Sequence, residues 1–377
     1  MALMVIGSVD NKTIILESNK AHVIISAIFL SLLTIWTAIG NILVIIAIIR
    51  FKRLQSNSNY LIANLALSDL FLALTVLPFS ATTDITENWL FGKILCPTWL
   101  ILDILLCTAS VWNLVVIAVD RFTATTFPVW YRSKRKKLFT LIYIMTVWIS
   151  AIIISLPGLL LSGLISANGD EVYINKEENI YECRLFDGPT YVVYSALGSF
   201  IVPLFLMIIL YAKIFAVLNR RSKDLRARQK IKMNALIYSQ NSSSASNGFN
   251  GYTEQEIKTN EITKELASGT KKKAACTINQ EKDNERVDRR ERRATKQMGF
   301  IIFIFVLCWI PFTIMYIIRS FCSMTTSEKW RQFITWLGYA NSGMNPIILI
   351  IFNVDMRLAF KNILTCGRYG QNLMASR

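Results

Sequence analysis

The chain has 377 residues, of which 53% are hydrophobic and only 18% charged. Soluble proteins sit near a quarter charged, so this composition excludes an ordinary water-soluble globule and points to a membrane protein. The net charge of +16 lies in loops between apolar runs rather than over a folded surface, which excludes a nucleic-acid partner. Seven cysteines are too few for a disulfide scaffold, and the only histidine is His22, so neither a stapled secreted fold nor a catalytic constellation is expected.

Seven stretches exceed the roughly 18 apolar residues that argue for a membrane-crossing helix. They are His22–Ile49, Tyr60–Thr83, Ile94–Val119, Leu138–Ser166, Gly188–Ala212, Met298–Ile318 and Phe333–Val354. The expected fold is an all-α membrane protein, a seven-transmembrane helix bundle over residues 22–354. Residues 1–21 are polar and lack the basic start and short apolar core of a cleaved signal peptide, so the first span should serve as an uncleaved anchor. Basic residues gather in the first loop (Arg50, Lys52, Arg53) and the third (Arg132, Lys134, Arg135, Lys136, Lys137), while Asp84, Glu87, Asp170 and Glu171 mark alternate loops. The basic loops therefore face the cytoplasm and the N-terminus lies outside. There Asn11-Lys12-Thr13 forms a glycosylation acceptor.

Residues 213–297 form the longest loop, between the fifth and sixth spans. Its middle, about Met233–Asp283, is expected to be disordered, and its basic ends to extend the neighbouring helices. Residues 355–377 make a short tail in which Asp355–Leu364 places apolar and basic residues at helical spacing, as in a short amphipathic eighth helix on the inner membrane surface. Cys366 reads equally well as a palmitoylation site or a lone free thiol.

The third span organises the chemistry. Asp103 lies in its outer half, and no other span core contains a Lys or Arg to pair with it. A buried carboxylate needs a partner, and a protonated ligand amine would supply one. Aromatic faces beside such a pair add about 0.5–2 kcal/mol. Trp309, Phe312, Tyr316, Trp336 and Tyr339 are at hand, although aromatic residues pack in any bundle. Ser195 and Ser199 are four residues apart on one helix face. They serve either as partners for ligand hydroxyls or as local backbone bonds. Asp69 in the second span has Ser110, Asn341, Ser342 and Asn345 as polar neighbours in otherwise apolar spans. Two readings stand side by side, a sodium or proton site and a structural polar network. Cys96 and Cys183 both fall on the oxidising side, where a disulfide is expected. Cys107 and Cys308 should remain free within their spans. Asp120-Arg121-Phe122 lies at the inner end of the third span, and Glu291 precedes the sixth. Snorkelling explains Arg121, and so does a latch to Asp120 and Glu291 that opens when the sixth helix moves.

One motif per span then suggests a family. Gly40-Asn41, Asn64–Asp69 (NLALSD), Asp120–Phe122 (DRF), Trp148, Pro203, Cys308–Pro311 (CWIP) and Asn345-Pro346 together resemble a rhodopsin-like G-protein-coupled receptor over nearly the whole chain. Asp103 falls seven residues after Cys96, and Thr335–Pro346 reads TWLGYANSGMNP, both as in the aminergic branch. LDILLCTASVWNL, DRFTATTFPVWY and RRATKQMGF are similar to dopamine receptors of the inhibitory subfamily. The resemblance implies that Asp103 holds the ligand amine, with Cys107, Trp309, Phe312, Thr313, Tyr316, Trp336 and Tyr339 around it. It also implies activation through Pro203, Val111, Phe305 and Tyr211. Three departures stand out. Ala196 lies where a middle serine is usual, Thr313 where a second phenylalanine is, and Leu349 where the NPxxY motif has tyrosine. The last outer loop holds only Cys322, so the small disulfide of many relatives should be absent there.

The function expected is therefore a monoamine receptor at the plasma membrane. Dopamine is favoured over tyramine, octopamine and serotonin. Its implied partners are an inhibitory G protein that lowers cyclic AMP, together with arrestin, receptor kinases and the lipid bilayer. No cofactor is expected beyond an allosteric sodium ion at Asp69. A retinal-based light sensor would need a lysine in the seventh span, and Phe333–Val354 has none. A channel or transporter would favour internal repeats or matched broken helices, and the sequence shows neither.

Overall fold

The computed structural model describes residues 3–134, 137–165, 173–177, 180–183, 189–245, 299–322 and 327–365. The chain divides into two units, residues 1–211 with 297–377, and residues 212–296. The second is described only as the continuation of one helix. In the first, α1 runs over Leu3–Arg50, so the polar N-terminal stretch continues the first span as helix. Six helical stretches are long and apolar enough to cross a membrane: Val23–Arg50, Asn57–Thr86, Gly92–Thr126, Lys137–Pro157, Pro189–Asp224 and Gly299–Phe321. The seventh expected span forms a helix over Glu328–Phe352, made more polar by Asn341, Ser342 and Asn345.

Prolines set the breaks. The second span is two helices, α2 (Asn57–Thr75) and α3 (Leu77–Thr86), joined at Val76 with Pro78 in the first turn of α3. Proline lacks the donor needed mid-helix and tolerates a first turn. The third span is α4 (Gly92–Thr126), followed by the short α5 (Pro128–Lys134), and the fourth is α6 (Lys137–Ile165). The fifth begins as α7 (Pro189–Ala196), widens into a π turn at Leu197–Ile201 just ahead of Pro203, and resumes as α8 (Val202–Ala245). The widened turn frees the Gly198 carbonyl, which accepts the Trp112 indole N–H at 3.1 Å. α9 is Gly299–Phe321, α10 Glu328–Phe352 and α11 Val354–Leu364. The last sits where the eighth helix is expected.

Two features differ from expectation. α8 stays helical to Ala245, beyond the expected break near Met233. No glycine or proline follows Pro203 in that run, and each added residue gains a backbone bond once a helix is nucleated. A hairpin of β1 (Tyr173–Glu177) and β2 (Ile180–Cys183), not expected from the sequence, forms between α6 and α7, antiparallel with Tyr173 opposite Cys183. Glu291 and Cys366 lie outside the described residues, and Asn11 falls within the α1 backbone.

The burial pattern inverts that of a soluble protein. Asp69, Asn113, Thr37 and Ser68 are fully enclosed, whereas Ile24, Ile28, Phe29, Phe205 and Phe303 are more than half exposed. Polar side chains gather inside the bundle while apolar faces point outward, as a bilayer requires. α4 is central, packing against α2, α6, α5 and the π turn, while α1 packs on α2 and α10. The α1–α10 seam explains two of the sequence motifs. A Cβ on Gly40 would lie 2.9 Å from Pro346 Cγ, so only glycine permits this approach. Asn41 donates to the Thr37 and Ser342 carbonyls at 2.9 and 3.2 Å, tying the helices across the same spot.

Candidate functional site

The outer half of the bundle encloses a cavity of about 50 Å³. Asp103, Ile104, Cys107 and Thr108 line it from α4, as positions i, i+1, i+4 and i+5 of one helical face should. Asp103 is half-buried and accepts from the Cys107 thiol at 3.4 Å, with the Tyr339 hydroxyl as a second hydrogen-bonding neighbour. Among the described residues no Lys or Arg pairs with it.

Opposite, Ser195 near the end of α7 and Ser199 within the π turn both reach the cavity. Each hydroxyl is already engaged. Ser199 shares a 2.8 Å hydrogen bond with Thr108, and Ser195 lies 3.3 Å from the Tyr316 hydroxyl and donates to the Val192 carbonyl at 3.2 Å. Ala196 is buried beside them and offers no polar group.

The remaining wall is aromatic. Trp309 packs on Phe200 at 4.6 Å between ring centres and stands perpendicular to Phe312 at 5.6 Å; Phe312 in turn stacks on Tyr316 at 5.8 Å. Trp309 also packs against Gly338, where a Cβ would come to 3.1 Å from the ring. Its indole N–H is buried without a hydrogen-bond partner among the described residues. At this size the cavity holds a few waters, far below the roughly 300 Å³ of a typical ligand pocket. A ligand must therefore displace side chains, and the Ser195–Tyr316 and Thr108–Ser199 bonds are the polar contacts it would exchange.

Two expected wall residues face elsewhere. Thr313 turns its hydroxyl back to the Trp309 carbonyl at 2.9 Å, the usual choice of a helical threonine. Trp336 is drawn away by Asp84, whose carboxylate accepts the indole N–H at 2.7 Å. Conversely, Ile104, Thr108, Phe200 and Thr335 line the cavity without having been singled out. Helical spacing from Asp103, Ser199 and Tyr339 was the signal that would have found them.

The outer rim is pinned. The Cys96–Cys183 disulfide joins the start of α4 to β2. Trp89, 1% exposed, donates its backbone N–H to the Tyr181 carbonyl at 2.8 Å, and the Tyr181 N–H donates to Asn88 Oδ1 at 2.8 Å. Gly92, with φ +78°, makes the turn into α4 and accepts the Trp89 indole N–H at 2.8 Å.

Below the cavity, Asp69 accepts from Ser110 at 2.8 Å and Asn345 at 2.7 Å, with Ser342 as a further hydrogen-bonding neighbour. Asn341 is buried but makes no hydrogen bond to Asp69 among the described residues. The Oδ1 atoms of Asn345 and Asn41 are buried and unpaired there. Asn64 links three helices, donating to Asn113 at 2.7 Å and accepting from Trp148 at 3.2 Å.

At the inner end, Asp120 is 1% exposed and holds more than its neighbour. Ser58 donates to it at 2.8 Å and Tyr131 at 3.0 Å, while Arg121 approaches only to 3.7 Å. Arg121 Nε is buried without a hydrogen-bond partner among the described residues. The expected Asp120–Arg121 contact is therefore one part of a four-residue cluster. Val111 and Phe305 are each 1% exposed in the core, Pro203 is buried, and Tyr211 is half-buried against the same core.

Comparison with known proteins agrees with this geometry. The family model "7 transmembrane receptor (rhodopsin family)" matches residues 40–349, and the chain belongs to that family of multi-pass membrane receptors. It is 36% identical over 351 residues to a probable G-protein coupled receptor, No18, of Amphibalanus amphitrite, covering 91% of this chain and 90% of that one. It is 34% identical over 351 residues to 5-hydroxytryptamine receptor 1F of Cavia porcellus, with 91% and 93% covered. Tyramine receptor 1 of Locusta migratoria is 31% identical over 439 residues, with 91% and 89% covered.

Proposed function

We propose that the chain is a plasma-membrane receptor for an aromatic monoamine, with its N-terminus outside, that acts through inhibitory G proteins to lower cyclic AMP. One observation carries this reading. Asp103 faces a cavity walled by aromatic rings and two serines, with no basic side chain to neutralise it among the described residues. A ligand ammonium would pair with Asp103, its ring would enter between Trp309, Phe312 and Phe200, and a ring hydroxyl would take a place in the Ser195 or Ser199 hydrogen bonds. Rotation of the Trp309 segment at Pro311, which lacks a backbone donor, would then move the inner end of α9 and free Arg121.

Dopamine is the ligand implied by the sequence resemblance. A second reading, tyramine or octopamine, is favoured by Ala196, which leaves two serines rather than three for a catechol. The relative named as tyramine receptor 1 supports the same reading. A panel of dopamine, tyramine, octopamine and serotonin, scored for cyclic AMP in transfected cells, tests both. Suppression of cyclic AMP by at least one amine is expected; a panel without response, or a rise, overturns the proposal.

Asp69 suits a sodium ion. Its carboxylate, the Ser110 and Ser342 hydroxyls and the unpaired Asn345 amide oxygen are all hard oxygen donors of the kind such a cation takes. When bound, the ion would neutralise a carboxylate that is fully enclosed. By family resemblance, arrestin and receptor kinases act on the inner face, Asn11 carries glycan and Cys366 a palmitoyl chain.

A further inference from the structure

Above the amine cavity lies a second, roomier one of about 120 Å³, which shares Phe312, Tyr316 and Thr335 with it as common walls. Its lining carries two arginines, Arg319 and Arg331, against one acid, Glu182. Helical spacing explains their position. Arg319 follows Tyr316 by three residues on α9, and Arg331 precedes Thr335 by four on α10. Each arginine therefore leaves its helix about one turn, ~5.4 Å, outward of a shared wall residue on the same face.

The two arginines differ in state. Arg331 is 3.7 Å from Asp84, whose other carboxylate oxygen accepts from Trp336. Arg319 is exposed and makes no ion pair among the described residues. A small primary amine uses neither, and the positive rim disfavours its entry.

We infer that this outer cavity is a carboxylate subsite, and that the receptor takes amines bearing an acidic arm, with the ammonium at Asp103 and the carboxylate between Arg319 and Arg331. This rests on the amine reading of Asp103 given above. The planar guanidinium matches a carboxylate in two parallel hydrogen bonds, a geometry that a neutral amide of equal length cannot reproduce. A zwitterion also meets each end of the site with the opposite charge, whereas a simple cation meets one favourable end and one unfavourable.

The test uses the full receptor in cell membranes. N-carboxypropyl derivatives of tyramine and dopamine are compared with their primary amides by displacement binding. The acid is expected to bind about tenfold more tightly than its amide, the size of a charge-assisted pair at a partly exposed site. Arg319→Gln, at an exposed position outside the amine cavity, should remove most of that gain, and Arg319→Gln with Arg331→Gln all of it. The parent amines should bind these variants within about threefold of the wild type. Sodium butyrate added with tyramine separates a tethered acid from a free one. An arginine-dependent rise in tyramine affinity would support the same carboxylate site serving a free anion. Equal affinity of acid and amide in the wild type, or a gain that survives in the double variant, overturns the inference. If the parent amines themselves fail to bind, the amine reading falls instead, so the two failures are distinguishable.

Discussion

Replacing Asp103 by Asn is the most direct probe of the cavity. The substitution keeps the side-chain shape and leaves an amide oxygen to accept the Cys107 thiol, now held at 3.4 Å, so the change is essentially one of charge. Removing one member of a buried, hydrogen-bonded charge pair costs about 3–5 kcal/mol, and a hydrogen bond to a charged group is worth about 1.5–3 kcal/mol. Asp103 is half-buried rather than fully enclosed, which puts the expected loss near the low end, about 3 kcal/mol, or roughly a hundredfold in affinity. The assay is displacement of an amine radioligand on membranes, with surface level measured by flow cytometry to show that the variant is made and exported. A neutral analogue with hydroxyl in place of the amine supplies the double-mutant cycle, and it should bind wild type and variant alike. An amine affinity in the variant within about threefold of wild type would refute Asp103 as the counter-ion.

Asn64→Leu strands the Asn113 amide oxygen and the Trp148 indole N–H, about 1–3 kcal/mol for each buried group left unpaired. Its thermal unfolding in detergent should come at lower temperature, and an unchanged melting point would show that these bonds are dispensable. Asp69→Asn should abolish the dependence of agonist affinity on sodium chloride, read against a matched potassium series; dependence that persists would place the ion elsewhere. Leu349→Tyr should raise agonist-driven G-protein activation. Leu349 is 3% exposed, so the added ring and hydroxyl must enter the bundle interior, and unaltered signalling would mean that this position does not limit activation here.

The helices were legible because a bilayer demands length and apolarity, which a single sequence displays directly. Asp103 was legible as a candidate for a related reason, since it is an acid in a span and no span core holds a Lys or Arg to pair with it. What the sequence concealed was choice among partners. Thr313 had a cavity and a backbone carbonyl within reach and took the carbonyl. Trp336 had the Asp103 cavity and Asp84, and its N–H went to the carboxylate at 2.7 Å. Asp120 looked paired with the adjacent Arg121, yet its nearest contacts come from Ser58, 62 residues earlier, and Tyr131, 11 residues later. Such competition is decided by tertiary geometry, and residue spacing carries no trace of it.

Those tertiary bonds also say which helix is able to move. Along α4, Ser110, Asn113 and Asp120 bond in turn to Asp69, to Asn64 with Ser68, and to Ser58 on α2. As the numbers climb on one helix they fall on the other, so the bonds form an antiparallel polar ladder through the bundle. Within a low-dielectric interior each rung is costly to leave unmade, and a slide of α4 along α2 would break all of them together. α4 therefore serves as a fixed post. On the proposed reading, a signal received at Asp103 would not travel by α4 sliding but would pass sideways to the wall that a ligand would displace. That wall is Trp309, Phe312 and Tyr316 on α9, which carries Pro311 among them and whose Trp309 N–H is held by no hydrogen bond among the described residues.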